Sequence, residues 1–526
     1  MPPLGVPDGA DEGRADALDL FAERARAANP SFELTAGNRD AVAEICRRLD
    51  GLPLAIELAA AQVRFLPPQG VLERLEHRLG LAARAGHAYP NRQQTLRAAI
   101  AWSVELLDDA ERALFARASV FRGGWTLEAL ASVSGERDDV LDPVASLVEK
   151  SLVTHEAPEG APRFSMLETI REYAAEELEA RGDGRAAAKR HAAFYLGLVD
   201  EVGRQLVAAR HGPALALLDR DEDNVRAALA RLLEEGEYAR VVDAGWKLLP
   251  YWTLRERLVE GRRWMRDVVE RGELTAGPRG RALAAEAMLA FWGSDYAAAA
   301  RLAGEALPLL RAAGDDGGVA LAQIPLGVVQ AIGGDREAGV ALLEDARRRA
   351  ERMRGEWGVA MSMLALAWAW NATGAEAPLE HFEETVERVR ELGYEAETLA
   401  VGALGRRRAI RGEADEAKEL LAEALRRTSA LNARVGSALY VDLLADLAAA
   451  EGDDVVAVRL SSAAEAAAEA AGAAIPPLSG DRAERLRALR ERAGDAAFEA
   501  ERKKGRALSG EAAASEALTW AGAERA

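Results

Sequence analysis

Glycines recur through the second half of the chain at a nearly constant interval, and each opens a short turn between helical segments. Consecutive members lie about 40 residues apart. A period of this size is typical of stacked helix pairs, because one pair cannot bury its apolar face alone and needs a neighbour. The pattern therefore predicts a helical repeat array. Its glycines are Gly293, Gly334, Gly374, Gly412 and Gly452.

The composition favours helices along the whole length. Apolar residues make up 49% of the chain but aromatic residues only 5%, so Ala and Leu carry most of the apolar share. Alternating Val, Ile and Thr runs of the strand type are almost absent. At 526 residues the chain is also too long for a single core. We therefore expect a mostly all-α protein of several domains, and a parallel-sheet enzyme is disfavoured.

Charge and cysteine content limit the partners and the compartment. The net charge is −19, from 67 basic and 86 acidic residues, and would repel nucleic-acid phosphates or an anionic membrane. The single cysteine, Cys46, lies on an apolar helical stretch, which favours a buried thiol in a reducing compartment. The sequence has neither an apolar run of about 18 residues nor a signal-peptide pattern. We expect a cytoplasmic protein without membrane contact.

The order of elements after residue 95 is that of a winged helix. Three helices and a fourth short helix are followed by two strand-like runs that a turn-rich segment joins. A long helix, predicted over Leu167–Arg181, then leads away. The predicted helices are Leu96–Leu107, Ala110–Val120, Leu127–Ser134 and Val140–Ser151, and the predicted strands are Leu152–His155 and Arg163–Met166.

The helix of this fold that would read DNA has the wrong charge for that role. Asp138, Asp139, Asp142 and Glu149 stand there against the single Lys150. Base readout needs Arg, Lys, Asn or Gln on the exposed face. The sequence therefore favours a packing role for the winged helix, although DNA binding stays open as an alternative.

Catalytic and metal motifs were not found in the sequence. It contains no GxxxxGK[ST] phosphate-binding loop, no HExxH or HxxxH pair and no cysteine cluster. Paired acidic residues lie at helix starts, where they cap the helix, or on polar helix faces, where they stay solvated. We expect no catalytic residue, no metal and no cofactor for the chain as given.

One motif series resembles a known family. Residues 43–60 contain Gly51, Leu52, Pro53 and Leu54, and resemble the GLPL motif of STAND-type (NB-ARC or AP-ATPase-like) regulatory ATPases of the bacterial transcriptional-regulator branch. Further stretches in the same order resemble the winged helix and the sensor of that branch. These stretches are residues 92–97, 102–107, 118–126, 147–153, 223–229 and 260–264.

The resemblance implies a helical lid, a winged helix and a tetratricopeptide-like sensor. It assigns Gly51–Leu54 to nucleotide binding, with Pro53 near the adenine, and aligns Met166, Leu167 and Glu168 with the MHD phosphate sensor in a degenerate form. It also implies that the chain begins where the P-loop subdomain of the family ends. ATP or ADP would then bind only if a P-loop were encoded upstream or supplied in trans, and the chain would oligomerise only if it assembled like other STAND regulators.

These observations predict five segments. They are a lid over 1–90, a winged helix over 91–182, a helical linker over 183–275, repeats over 276–475 and a helical cap or tail over 476–526.

Three functions stay open at this point. The first is a non-catalytic regulatory scaffold whose concave repeat face binds a protein partner or ligand, with Trp368 and Trp370 as candidate anchors. The second is an ATP/ADP-switched regulator, and the third a DNA-binding regulator that acts through the winged helix.

Overall fold

A computed structural model provides the architecture of the chain. It describes residue 4 and residues 16–75, 91–135, 140–156, 162–206, 212–374, 376–391, 397–430, 433–471, 475 and 482–522. Asp138 and Asp139 of the predicted recognition segment lie outside these residues. The chain divides into two compact units, one formed by Met1–Gly197 with Asp221–Arg231 and the other by Leu198–Arg220 with Leu232–Ala526.

The first unit begins with a small helical subdomain. Its helices are α1 (Asp16–Ala28), α2 (Ala36–Arg48), α3 (Pro53–Ala61) with the 3-10 turn Gln62–Arg64, and α4, described over 68–75. Pro53 occupies the first turn of α3, where a missing N–H costs nothing. Leu58 and the alanines that follow it in α3 are buried, so this short apolar helix forms the centre of the subdomain.

The winged helix follows in the same unit. It comprises α5 (Asn91–Glu105), α6 (Asp109–Ala118), α7 (Leu127–Ser134), α8 (Leu141–Glu149), β1 (Thr154–Glu156), β2 (Arg163–Ser165) and α9 (Glu168–Ala180). The strands pair antiparallel, with His155 opposite Phe164. Phe164 also exchanges two backbone hydrogen bonds with Trp125, at 2.8 and 2.9 Å, as an isolated bridge beside the two-stranded sheet. The predicted order of helices and hairpin is confirmed.

The second unit contains the helical repeats. The linking helices are α10 (Gly184–Leu206), α11 (Gly212–Glu234), α12 (Tyr238–Leu254) and α13 (Leu258–Arg271), of which α10 and α11 also contribute residues to the first unit. The repeats are α14 (Ala276–Trp292), α15 (Tyr296–Ala312), α16 (Asp316–Ile332), α17 (Arg336–Arg352), α18 (Glu356–Thr373), α19 (Leu379–Glu391), α20 (Glu397–Ile410), α21 (Ala414–Ala430), α22 (Arg434–Glu451) and α23 (Asp454–Ala470).

A residue in the left-handed backbone region ends most of these helices. Along the first repeats, the sequence interval between successive residues of this kind is constant and equals the length of one helix with its turn. These residues are Ser294, Gly314, Gly334, Arg354 and Gly374. The period read from the glycines is therefore a period of helix pairs, as predicted. One detail differs: Gly293 has φ −80°, and Ser294 after it takes the left-handed conformation at φ 61°.

Three C-terminal helices pack on the last repeat as a cap rather than extending as a separate tail. They are α24 (Arg482–Ala493), α25 (Asp495–Arg506) and α26 (Gly510–Trp520). Asp442 of α22 is fully buried, and it accepts hydrogen bonds from Arg485 at 2.7 Å, Arg482 at 3.2 Å and Ser461 at 2.7 Å. Trp520 donates to Asp453 at 2.8 Å. Charged and aromatic contacts thus close this end of the array.

Candidate functional site

The helix that precedes the hairpin of the winged helix, α8, is the element that would enter a DNA groove in a DNA-binding member of this fold. Val144 and Leu147 face the core. Leu141, Ala145 and Glu149 lie on the exposed side at helical spacing, and Leu141 is 48% exposed. The exposed face is therefore apolar and acidic.

Lys150 follows α8 directly and is turned inward. Its ammonium lies 3.1 Å from both carboxylate oxygens of Glu111 and also contacts Ser146, and its side chain is only 11% exposed. Glu111 in turn belongs to a capping box at the start of α6, where it accepts from the Asp108 N–H at 3.0 Å. Lys150 is therefore held in an internal ion pair.

The ion pair also fixes the charge state of Glu111. Burial by itself would raise the pKa of this carboxyl, but hydrogen bonds from Ser146, the Asp108 N–H and Lys150 lower the pKa below its usual value. On the neighbouring turn, Glu149 of α8 contacts Arg64 of the preceding subdomain. Lys150 and Arg64 thus both contact protein carboxylates.

The GLPL segment forms the connection between α2 and α3. Asp50 and Gly51 both adopt left-handed backbone conformations, at φ 54° and 65°, and the Gly51 N–H bonds the Cys46 carbonyl at 3.1 Å. The Gly51 carbonyl accepts from the Leu4 N–H at 2.8 Å. Leu52, Pro53 and Leu54 are partly exposed. The segment offers an apolar surface that a planar base could contact, but it contributes no charged group.

The segment aligned with the MHD sensor lies between β2 and α9. Leu167 is 47% exposed and precedes the first turn of α9 without capping it. The carboxylate of Glu168 accepts from Arg171 at 2.8 Å, which lowers the pKa of Glu168. An apolar side chain cannot donate to a phosphate. These residues therefore do not fit the phosphate side of a nucleotide site, and the role that the resemblance assigns to them stays a prediction.

The two tryptophans proposed as partner anchors have different surroundings. Trp368 is 8% exposed, and its ring lies 5.4 Å from that of Trp292 and 6.4 Å from that of Phe291, both on α14. Trp370 is partly exposed and makes an edge contact with His381 at 4.7 Å. Most of α16 and α18 is buried. Of the two residues, Trp370 offers a partner more surface, and the binding role of both stays a prediction.

The structure also contains a buried polar network that the sequence did not indicate. Asn224 of α11 is fully buried. Its Oδ1 accepts from the Arg122 N–H at 2.7 Å and lies 3.2 Å from Nε2 of His191. Its Nδ2 donates to the Gly124 carbonyl at 2.8 Å and to Asp221 at 3.3 Å. The side chain thus uses its full hydrogen-bonding capacity.

Asp221 connects this network to the β1–β2 hairpin, which is the wing of the winged helix. Its carboxylate accepts from Arg163 of β2 at 2.9 Å, and the two side chains are only 5% and 10% exposed. Burial lowers the pKa of His191 to about 4, so the imidazole is neutral at pH 7 and its Nε2–H can donate to Asn224. Asn224 was noted only within a family-like stretch. A buried Asn inside a helix, where its helix propensity is poor, is the signal that could have marked it.

An open groove of about 570 Å³ borders the first turn of α2. Phe65, which is 59% exposed, and Phe32 line its apolar side. In the wall of the groove, Oδ1 of Asn38 accepts a hydrogen bond from the Thr35 N–H at 2.8 Å, and its Nδ2 donates to the Glu33 carbonyl at 2.9 Å. These contacts are internal and indicate no ligand chemistry.

No described helix has both the length and the apolar content needed to cross a membrane. Among the same residues, no group of three or more His, Cys, Asp or Glu side chains is arranged to hold a metal ion.

Comparison with known proteins places a winged helix-turn-helix domain at residues 107–179. The chain is 35% identical over 358 residues to a protein named "Putative HTH-type transcriptional regulator" in Mycobacterium tuberculosis and in Mycobacterium bovis, an alignment that covers 65% of this chain and 40% of the relative. It is 38% identical over 196 residues to an uncharacterized protein of Mycobacterium tuberculosis, covering 36% of this chain and 48% of that protein. The chain therefore spans about 40% of the first of these relatives.

A solved structure is also similar over a large share of the chain. It is a signal transduction ATPase with numerous domains (STAND) and a tetratricopeptide repeat sensor from Pyrococcus horikoshii. The alignment covers 83% of this chain and 69% of that chain at 15% identity, with a TM-score of 0.30. This score is below the level at which two chains share a fold.

Proposed function

We propose that this chain is a non-catalytic regulatory module whose helical array binds a protein partner or a ligand, while its winged helix serves as a packing element. The observation that carries the proposal is that Lys150 is held in an internal ion pair with Glu111, while the exposed residues of α8 are Leu141, Asp142, Ala145 and Glu149. A helix face of this composition matches protein surfaces better than phosphates.

The repeat array supplies the partner surface in this proposal. Stacked helix pairs present the residues of successive helices side by side, which suits an extended partner. Trp370 combines an exposed ring portion with support from His381 and Phe382, and aromatic residues held in this way are typical binding anchors.

The partner role is tested by affinity capture with the full chain. We expect that Trp370→Ala loses a partner that the unsubstituted chain retains, because the anchor is removed. Trp357→Ala is the matched control, since Trp357 is a partly exposed tryptophan on the same helix, α18. Equal recovery by the two variants, with intact circular dichroism, would remove Trp370 from the proposal.

A second candidate is an ATP/ADP-switched regulator of the STAND type, favoured by the GLPL resemblance of residues 43–60. In it, Gly51–Leu54 would contact the base, and a P-loop from elsewhere would hold the phosphates. Calorimetry of the purified chain with ATP and with ADP separates the candidates. The non-catalytic proposal expects no binding tighter than about 10 μM, or about −7 kcal/mol.

A third candidate is a DNA-binding regulator, favoured by the winged helix-turn-helix match and by the names of the relatives. The acidic exposed face of α8 opposes it. Because low salt maximises attraction to phosphates, a gel shift at low ionic strength is the condition most favourable to this candidate. Retardation under that condition would support it over the packing role.

A further inference from the structure

Helix α11 is interrupted at one residue. Asp221 has φ −110° and ψ 16°, whereas both angles are moderately negative in a regular α-helix. The division of the chain into compact units falls at the same place, between Arg220 and Asp221. Residues Asp221–Arg231 therefore belong to the unit that contains the winged helix, although their neighbours in sequence do not.

The kinked residue is bound to the wing. Asp221 accepts from Arg163 in β2 at 2.9 Å, and Arg163 also donates to the Gly124 carbonyl at 3.2 Å. One turn further along α11, Asn224 donates to the same Gly124 carbonyl at 2.8 Å. Gly124 precedes Trp125, whose backbone pairs with β2. Residues of α11 thus hold β2 and also the Gly124–Trp125 segment that pairs with it.

We propose that Asp221 and Asn224 form a latch on the winged helix: the kink at Asp221 holds the wing hairpin in place, and straightening of α11 releases it. A change of ψ at residue 221 from 16° toward the helical value rotates the Asp221 carboxylate relative to Asn224. The two side chains then cannot both reach Arg163 and Gly124. The latch goes beyond the proposed function, since it does not depend on the partner of the array.

The latch can be tested by hydrogen exchange of the full chain, read peptide by peptide. Asp221→Ala removes the carboxylate and favours a continuous helix. We expect amides of β2 and of Trp125 to exchange about tenfold faster or more, while amides of α6 stay unchanged. Amides just after residue 221 should exchange more slowly, because the helix closes across the former kink. General destabilisation would instead accelerate all three segments.

Two further variants keep the test decisive. Asp221→Glu retains the charge but displaces the carboxylate by one methylene. It should accelerate exchange in β2 and at Trp125 by a smaller factor, and it serves as the test if Asp221→Ala does not fold. Arg226→Gln is the control, since Arg226 pairs within α11 with Glu222 and Asp223. The latch is refuted if the hairpin amides keep their rates in Asp221→Glu and Asp221→Ala, or if α6 accelerates equally with them.

Discussion

Asn224 provides the strongest stability prediction, because one neutral side chain satisfies several buried groups. In Asn224→Ala the Arg122 N–H and the Gly124 carbonyl both lose a close partner, at 2.7 and 2.8 Å in the intact protein. His191 loses its contact with Oδ1 as well. The side chain is fully buried, so water cannot replace these bonds without local opening.

The expected cost follows from counting these groups. The Gly124 carbonyl keeps its bond from Arg163 at 3.2 Å, whereas the Arg122 N–H and Nε2 of His191 both lose the Asn224 oxygen. A buried polar group left unpaired costs about 1 to 3 kcal/mol, so these two groups together predict a loss of about 3 to 4 kcal/mol in the free energy of unfolding. For a unit of this size, each kcal/mol lowers the melting temperature by about 2 to 4 °C. Asn224→Ala should therefore lower the melting temperature of this unit by roughly 10 °C.

Asn371 is the matched control for this prediction. It is also buried, at 3% exposed, but its Nδ2 makes one bond, to the Ala403 carbonyl at 2.8 Å, and its Oδ1 has no partner within the described residues. The same truncation there should cost about 1 to 2 kcal/mol. Urea unfolding of both variants, followed by circular dichroism, measures the difference. Equal losses for Asn224→Ala and Asn371→Ala would refute the reasoning.

Three further predictions concern single residues. Burial lowers the pKa of His191 to about 4 in the folded state, from about 6.5 in the unfolded state. Between these two pH values the unfolded state binds more protons, so the free energy of unfolding falls by about 3 kcal/mol as the pH drops from about 6.5 to about 4. In a series of melting temperatures against pH, His191→Gln should reduce this dependence. Asp442→Asn removes the buried carboxylate that Arg482 and Arg485 share, although Arg482 keeps Glu465 and Arg485 keeps Asp446, and it should cost about 1 to 3 kcal/mol in urea unfolding. Gly124→Ala places a Cβ 2.8 Å from a backbone carbonyl oxygen of β2 at φ 103°, so a loss of at least about 2 kcal/mol in thermal unfolding is expected.

Local elements of this fold follow closely from the sequence. The apolar spacing predicts a helix over Leu127–Ser134, and α7 has these bounds, because Thr126 caps its start and Gly135 ends it in a left-handed conformation. The apolar run after Gly51 predicts a helix over Leu54–Phe65, whereas in the structure the helix begins at Pro53 and turns into a 3-10 helix after Ala61. The helix boundary in the structure differs from the predicted one where the last turn becomes a 3-10 helix, because the spacing of apolar residues does not indicate that change.

Contacts between distant segments are what the sequence could not supply. Asn224 lies 100 residues from Gly124, and neither helical spacing nor composition relates the two positions. Lys150 is similar: its residue type suggests a surface cation, but its burial against Glu111 depends on how α6 and α8 pack. For Trp368, neither its residue type nor its position in the sequence reports that the packing of α18 near α14 buries most of its ring. The surroundings of such residues can be read only from the three-dimensional structure.

We propose that the winged helix packs within the protein and does not bind DNA. Fluorescence anisotropy of a labelled DNA duplex, titrated with the full chain at low ionic strength, tests it most directly. Because Lys150 is paired with Glu111 and the exposed face of α8 is acidic, we predict no rise in anisotropy up to about 100 μM protein. Saturable binding in the nanomolar to low micromolar range that weakens steeply with added salt would contradict the account.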